Sequence, residues 1–225
     1  MMAQSLIASR RHLVIVLLII TTITLLGMAQ TESLGRMPAD GTSHVIPYLV
    51  LIGLQLLWVR YIHIGMHAHG HSLAELTDGR WLSPRAAIVD VGYAALGFAA
   101  ARSIAAFLEV AMGNYHANTA FLLPHGVAES LLWVLVSVTA GICEEIVYRG
   151  YLQRQLTALS GSVAGGIVLQ AIAFGVSHGY QGIQPMAVAG AYGLVLGILA
   201  RWRGNIRASA LAHAATDIVG GLTRF

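Results

Sequence analysis

Residues 131–156 read LLWVLVSVTAGICEEIVYRGYLQRQL, an apolar run that carries two adjacent glutamates. An unpaired carboxylate is costly in hydrocarbon, so Glu144 and Glu145 each need a partner or a function. Arg149 follows Glu145 by four residues, which places both side chains on one helical face and favours an ion pair. Glu144 is rotated from Glu145 by about 100°, so it is left to face another group.

The composition around this run is that of a membrane protein. Of the 225 residues, 56% are hydrophobic and 10% are charged, and the mean hydropathy is +0.70. Soluble domains carry about 25% charged residues, so the chain is predicted to be an integral membrane protein. Its 13 basic residues are all arginine and form no basic block, so no nucleic-acid partner is expected. The single cysteine, Cys143, excludes an internal disulfide and is interpreted as a packing residue.

Seven apolar stretches predict an all-α, polytopic transmembrane bundle of about seven helices, with no stretch left over for a soluble domain. The first has the length of either a span or a signal sequence, with Gly27 and Ala29 at a candidate cleavage site, and a retained span is favoured. The stretches are 13–28, 45–64, 86–110, 131–156, 163–178, 186–200 and about 206–222.

The arginines predict the orientation of these helices, because translocated loops carry few of them. With a cytoplasmic N-terminus, Arg36 and Arg224 fall outside and Arg102 lies within a span. The other ten fall on or toward the cytoplasmic side: Arg10, Arg11, Arg60, Arg80, Arg85, Arg149, Arg154, Arg201, Arg203 and Arg207. The lysine-free, compact chain indicates a bacterial source, so a multi-pass protein of the bacterial inner membrane is expected.

Further polar groups lie in the late apolar stretches. His178 ends one stretch, and His213 shares a helical face with Asp217, four residues later. The turn signal Ser-Gly-Ser at 160–162 predicts an antiparallel hairpin, in which Glu144 and His178 lie at one depth, each about 17 residues from the turn. His213 follows Arg207 closely, so it joins the others only if the last helix begins deeper or the site is a cavity open to the cytoplasm.

These residues form three motifs in chain order. They are E-E-x-x-x-R at Glu144, Glu145 and Arg149, F-x-x-x-H at Phe174 and His178, and H-x-x-x-D at His213 and Asp217. In this order, each within an apolar helix, they resemble the motifs of the CAAX prenyl-protease and bacteriocin-processing (CPBP) family. The resemblance covers about residues 125–225 and implies a catalytic core in the last four helices. Residues 1–124 are N-terminal transmembrane helices without a family signal. Asp217 stands where the eukaryotic prenyl-proteases often have asparagine.

The resemblance implies an intramembrane endopeptidase that acts in the lipid bilayer on a membrane-associated protein or peptide. Beside it, the residues themselves fit hydrolysis by an activated water, with Glu144 as general base influenced by His178. Glu145 and Arg149 would be structural. A bacterial cell does not ordinarily supply a prenylated substrate. The expected function is therefore processing of a peptide or small protein, or self-protection against a bacteriocin.

His213 and Asp217 would stabilise the oxyanion or complete a metal site. Glu144, His178 and His213 supply one carboxylate and two imidazoles, a ligand set that suits a catalytic zinc with water in an open position. Zinc is therefore a candidate cofactor, and a metal-free, glutamate-activated water is the alternative.

Other enzyme classes have weaker support. GVSHG at 175–179 matches the serine nucleophile elbow G-x-S-x-G, which would pair Ser177 with His213, but that elbow requires a strand and a sharp turn. No motif supports an aspartyl pair of Asp90 and Asp217. No H-E-x-x-H occurs, which removes the usual zincin interpretation.

Two non-enzymatic alternatives stay open. A histidine-rich loop with His63, His67, His69 and His71 is interpreted as solvated, but metal binding there would favour a metal-handling membrane transporter. Its ion site would be Glu144, His178 and His213, and its path would extend through Asp90, Glu109 and Glu129. A bacteriocin-immunity or scaffold protein is the other alternative, although such a protein would have no need to keep five costly polar residues in lipid.

Overall fold

The computed structural model describes residues 5–34, 43–77, 83–113 and 122–223. These residues form helices joined by short connections and contain no strand. The helices are α1 (Arg10–Leu34), α2 (Val45–His67), α3 (Ala74–Thr77), α4 (Pro84–Met112), α5 (Gly126–Glu145), a π-helical segment (Ile146–Leu152), α6 (Gln153–Ser160), α7 (Val163–Ser177), a 3₁₀ turn (Gly179–Gln181), α8 (Ile183–Arg203) and α9 (Arg207–Leu222). The predicted all-α bundle is confirmed.

Five helices in the described ranges are long and apolar enough to cross a membrane. They are Arg10–Ala29, Val45–His67, Pro84–Met112, Gly126–Ser160 and Ile183–Arg203, and Val163–Ser177 is a shorter apolar helix. The protein is an integral membrane protein. Arg36, Arg80 and Arg224, which contribute to the predicted orientation, lie outside the described residues, and the cytoplasmic N-terminus stays a prediction.

The glutamate-bearing helix is longer than predicted and is not uniformly α-helical. It begins at Gly126 instead of residue 131, and it passes through the π-helical segment Ile146–Leu152 directly after Glu145. A π segment inserts an extra residue into a helical turn, and such segments occur frequently at functional sites. Tyr148 and Arg149 both lie within this segment and are buried.

The predicted turn after this helix is confirmed. α6 ends at Ser160, and Gly161 has the left-handed φ of 66° that glycine adopts without strain. The next residue, Ser162, caps α7 by accepting a hydrogen bond on Oγ from the Gly165 backbone N–H at 3.2 Å. The π segment, α6 and α7 therefore form a tight hairpin.

Close helix contacts bring the motif-bearing helices together. α5 packs along α9, and α7 packs along α8. At Gly141 in α5, an added Cβ would lie 2.7 Å from the Ala214 backbone N and 2.9 Å from the Ala210 carbonyl O in α9. Only glycine permits this approach of two backbones, which is a common device in helix pairs within lipid. It places Glu145, one turn after Gly141, beside the middle of α9.

A buried carboxylate fixes the other side of the bundle. Asp90 in α4 is fully buried and accepts hydrogen bonds from Arg203 Nε at 3.0 Å, Arg203 NH2 at 2.7 Å and Arg207 Nε at 2.8 Å. It thereby ties α4 to the connection between α8 and α9. The aspartyl-pair interpretation of Asp90 and Asp217 is not favoured, since Asp90 is already held by two arginines.

α9 begins inside the bundle. Ile206, the residue before it, is buried, and its backbone N–H donates to the Leu76 carbonyl O in α3 at 3.2 Å. His213 thus reaches the other motifs from a helix whose first turn is packed inside the bundle.

Candidate active site

Glu145 is the centre of a buried ion-pair cluster. Its side chain is 0% exposed, and its Oε1 accepts a hydrogen bond from Arg149 NH1 at 2.6 Å, which confirms the predicted pair. The same oxygen lies 3.0 Å from His213 Nδ1. Because a carboxylate only accepts, Nδ1 of His213 carries the proton and donates it. Glu145 therefore joins the first motif to the third, a contact that the sequence did not predict.

Phe174 joins the second motif to the other two. The Arg149 guanidinium carbon lies 4.2 Å from the centroid of the Phe174 ring, a cation–π contact. The ring centroids of His178 and His213 lie 4.6 Å and 5.5 Å from the same centroid. Side chains from the three motifs thus meet around one buried phenyl ring.

Glu144 and His178 face a different environment, a cavity of about 600 Å³. Glu144 is half-buried, and its residue lines this cavity together with His178, in agreement with the predicted meeting of these two groups across the hairpin. The other polar groups on this wall are Tyr148, Ser177 and Tyr180. Glu145 is therefore bound within the ion-pair cluster, whereas Glu144 lines the cavity.

Helices α1 and α2 form the opposite wall, which is mostly apolar. They contribute Ile19, Ile20, Ile23, Gly27, Leu51, Leu54, Gln55, Leu57, Trp58 and Tyr61. These helices carry no motif, yet they complete the cavity. Gln55 could have indicated from the sequence that α2 lines a cavity, because an amide within an apolar span needs a polar or hydrated neighbour.

The protonation of His178 follows from its position at the end of α7. Its Nδ1 lies 2.8 Å from the Phe174 carbonyl O, which can only accept, so Nδ1 carries the proton. In the neutral ring, Nε2 is then an acceptor.

Ser177 also donates its Oγ proton to the Phe174 carbonyl O, at 2.7 Å. Ser177 closes a helix instead of following a strand, so the nucleophile-elbow interpretation is wrong.

His213 and Asp217 lie away from the cavity wall. Neither is among the described residues that line it. His213 Nε2 is 3.7 Å from Asp217 Oδ2, beyond hydrogen-bond distance, and the Asp217 carbonyl O accepts from Trp133 Nε1 at 3.0 Å. His213 is therefore bound to Glu145, and Asp217 lies beside His213 with its side chain partly exposed.

The described residues do not assemble the candidate zinc site. In the ranges described, no three His, Cys, Asp or Glu side chains are grouped so as to hold a metal ion. His213 donates Nδ1–H to Glu145 and His178 donates Nδ1–H to a backbone carbonyl, which leaves Nε2 of each ring available as a ligand. The described side chains are nevertheless not grouped around one point, and zinc stays a prediction.

The histidine-rich segment differs from the predicted loop. His63 and His67 lie one turn apart within α2, with ring centroids 5.7 Å apart, and the loop itself contains His69 and His71. His71 Nδ1 pairs with Glu75 Oε2 at 2.9 Å, and this hydrogen bond lowers the pKa of the Glu75 carboxyl. These residues form no group that could hold a metal ion within the described ranges.

The acidic residues of the hypothetical transport path have local partners. Glu129 accepts hydrogen bonds from the His44 backbone N–H at 2.8 Å, from His44 Nδ1 at 2.9 Å and from the His125 backbone N–H at 2.8 Å. Asp90 is held by its two arginines, and Glu109 is exposed on α4. The described contacts therefore do not favour a path from these residues to Glu144.

Tyr148 is the functional candidate that the sequence reasoning missed. It is 1% exposed, it lines the cavity beside Glu144, and its ring centroid lies 5.0 Å from that of Phe174. It follows Glu144 by four positions, the spacing that puts two residues on one helical face. That spacing could have identified it.

The fold and these motifs define a membrane-embedded, carboxylate- and histidine-containing site. Residues 126–219 match the family model of Type II CAAX prenyl endopeptidase Rce1-like proteins, and the match includes all three motifs. The match confirms the CPBP resemblance over these residues, and the family that it names is one of proteases. No curated protein and no solved structure matches the chain.

Proposed function

We propose that the protein is an intramembrane endopeptidase of the CAAX-protease type, which hydrolyses a peptide bond with a water activated by Glu144. Its substrate is a membrane-associated protein or peptide. The observation that supports this proposal is that the two adjacent glutamates have different environments. Glu145 is bound by Arg149 and His213, whereas Glu144 lines a cavity of about 600 Å³ together with His178.

The catalytic water would lie between Glu144 and His178. Neutral His178 offers the lone pair of Nε2, because its Nδ1 proton is donated to the Phe174 carbonyl O. A water that donates one hydrogen bond to the Glu144 carboxylate and one to Nε2 directs an oxygen lone pair toward the cavity. The carboxylate takes a proton as the water oxygen bonds to the peptide carbonyl carbon. It then returns that proton to the leaving nitrogen as the C–N bond breaks.

The oxyanion formed in this step needs hydrogen-bond donors that are already in place. Of the two residues predicted for this role, His213 is bound to Glu145 and Asp217 lies beside His213, so we assign both to positioning. Tyr148 and Tyr180 line the cavity, and we propose their hydroxyl groups as donors to the oxyanion.

The substrate would reach the site along α1 and α2. Their side chains give one wall an apolar surface, and a cavity of about 600 Å³ falls in the size range of small-molecule sites. An apolar peptide segment or an attached lipid chain fits such a wall. An extended polar peptide would lose its hydration there without compensation.

Cleavage is tested, with the substrate still unidentified, by comparing membrane-protein N-termini in cells that express either the wild type or Glu144→Gln. The wild type is expected to generate new N-termini that are absent from cells with Glu144→Gln. A peptide spanning one such cleavage site is then reconstituted with purified protein in liposomes. There Glu144→Gln is expected to lower the cleavage rate by about 10²- to 10⁴-fold, the usual contribution of a general base.

Glu109→Gln is the matched control, because it removes an equivalent carboxylate from an exposed position on α4. It should cleave at the wild-type rate, and His178→Ala should be impaired like Glu144→Gln. Wild-type rates for both Glu144→Gln and His178→Ala would end the peptidase proposal.

A further inference from the structure

A second cavity, of about 150 Å³, lies where α6 turns into α7 and α8 turns into α9. Its wall carries three arginines, Arg149, Arg154 and Arg201, and no carboxylate among the described residues that line it. Guanidinium groups that share a wall repel one another, so an anion in the cavity would relieve that repulsion.

Arg149 brings buried, unsatisfied donors to this wall. The residue is 2% exposed, and NH1 is bound to Glu145 Oε1. Nε and NH2 have no hydrogen-bond partner within the described part of the chain. Buried donors are nearly always satisfied by protein, water or a ligand. Neither Glu145 Oε2 nor Gln153 Oε1, two buried acceptors that are also without a described partner, bonds to these donors, so both donors are open to an acceptor from the cavity.

Arg154 and Arg201 add further positive charge. Arg154 NH2 donates to the Glu75 backbone carbonyl O at 3.2 Å, and the nearby Glu75 carboxylate, which is hydrogen-bonded to His71, offsets the charge of Arg154 only in part. Arg201 is exposed in the last turn of α8. The charge of Arg149 is balanced by Glu145, whereas Arg201 and, in part, Arg154 retain positive charge that a ligand can pair with.

We propose that this cavity is a binding site for a phosphate-type oxyanion, held by Arg149 Nε and NH2 at its base and by Arg154 and Arg201 at its sides. The planar fork of guanidinium donors matches the oxygens of a phosphate group. A volume of 150 Å³ corresponds to about five water molecules, enough for a phosphate group and too small for an acyl chain. The phosphate belongs either to a lipid headgroup or to a free anion. The site does not depend on the peptidase proposal.

Two binding measurements on the purified full-length chain distinguish these sources. Equilibrium dialysis with radiolabelled inorganic phosphate measures binding of a free anion. Native mass spectrometry of the protein with phosphatidylglycerol, and with phosphatidylcholine for comparison, measures retention of an anionic lipid. Saturable phosphate binding, or preferential retention of phosphatidylglycerol, is expected.

Variants locate the site. Arg201→Gln changes an exposed residue, so it should fold normally, and Arg154→Gln tests the other side of the cavity. Each is expected to weaken binding by about tenfold, the effect of losing one charge-assisted hydrogen bond. Arg85→Gln is the matched control, because Arg85 is exposed and lies outside the cavity lining, and it should bind as the wild type does. Unchanged binding in both cavity variants, or no saturable binding of either probe, would overturn the proposal.

Discussion

Replacement of Glu145 by methionine should destabilise the protein strongly, whereas replacement of Glu144 should not. Both side chains of the Glu145–Arg149 pair are 0% exposed. Removing one partner of a buried ion pair lowers the free energy of unfolding by about 3–5 kcal/mol, compared with about 0–1 kcal/mol for a surface pair. The variant leaves the Arg149 guanidinium buried without its anion. It also removes the acceptor of His213 Nδ1.

Two features place the expected loss at the lower end of that range. The Phe174 ring still contacts the Arg149 guanidinium from 4.2 Å, and such a contact is worth about 0.5–2 kcal/mol. Arg149 also lines the smaller cavity, where water can hydrate it. We therefore expect Glu145→Met to lower the free energy of unfolding by about 3 kcal/mol. Glu144→Met should change it by less than about 1 kcal/mol, since no ion pair is lost.

The assay is reversible unfolding by dodecyl sulfate in mixed micelles, followed by tryptophan fluorescence. The double variant Glu145→Met/Arg149→Met completes a double-mutant cycle. It removes both charges and leaves apolar groups of similar size. It should be more stable than Glu145→Met alone, since no uncompensated charge remains. The reasoning is refuted if Glu145→Met unfolds within about 1 kcal/mol of the wild type, or if the double variant is as unstable as the single one.

Three further predictions concern packing and cofactor. Gly141→Leu should separate α5 from α9 and cost about 1–3 kcal/mol, while Gly92→Leu, with open space around its Cβ, should be neutral in the same unfolding assay. Asp90→Asn should cost about 2–3 kcal/mol, because Arg203 and Arg207 lose a buried carboxylate while retaining some access to water, and its Tm should fall accordingly. Chelation distinguishes the two candidate mechanisms: cleavage should be unchanged if a metal-free, glutamate-activated water acts, whereas inhibition that zinc reverses would establish the zinc site.

The local features of the site could be predicted from the sequence. The Glu145–Arg149 pair depends on a spacing of four residues, and the turn at Gly161 depends on a small-residue signal with a capping serine. The hairpin geometry then brings Glu144 and His178 to one cavity. Each of these inferences uses distances along the chain or within one hairpin, where helical rise and periodicity are sufficient.

The remaining features depend on contacts between distant segments. The π segment at 146–152 alters the helical phase near Arg149, and no residue pattern in the run indicates it. The wall formed by α1 and α2 depends on which helices meet the hairpin, and helical periodicity does not determine that. His213 reaches Glu145 because α9 begins in buried surroundings and approaches Gly141 closely, a depth that the position of Arg207 alone did not indicate.

Because the two glutamates are adjacent, the buried Glu145–Arg149 pair also orients Glu144, the residue proposed as general base. The contact between Glu145 and His213, 3.0 Å across two helices, fixes the rotation of α5 about its own axis. Successive helical residues differ by about 100°, so the direction of Glu144 toward the cavity is fixed by the same contact. A rotation of α5 that moved Glu144 away from His178 would have to break a buried, charge-assisted hydrogen bond. The structural glutamate thus holds its neighbour in position, and loss of Glu145 should impair cleavage even in molecules that remain folded.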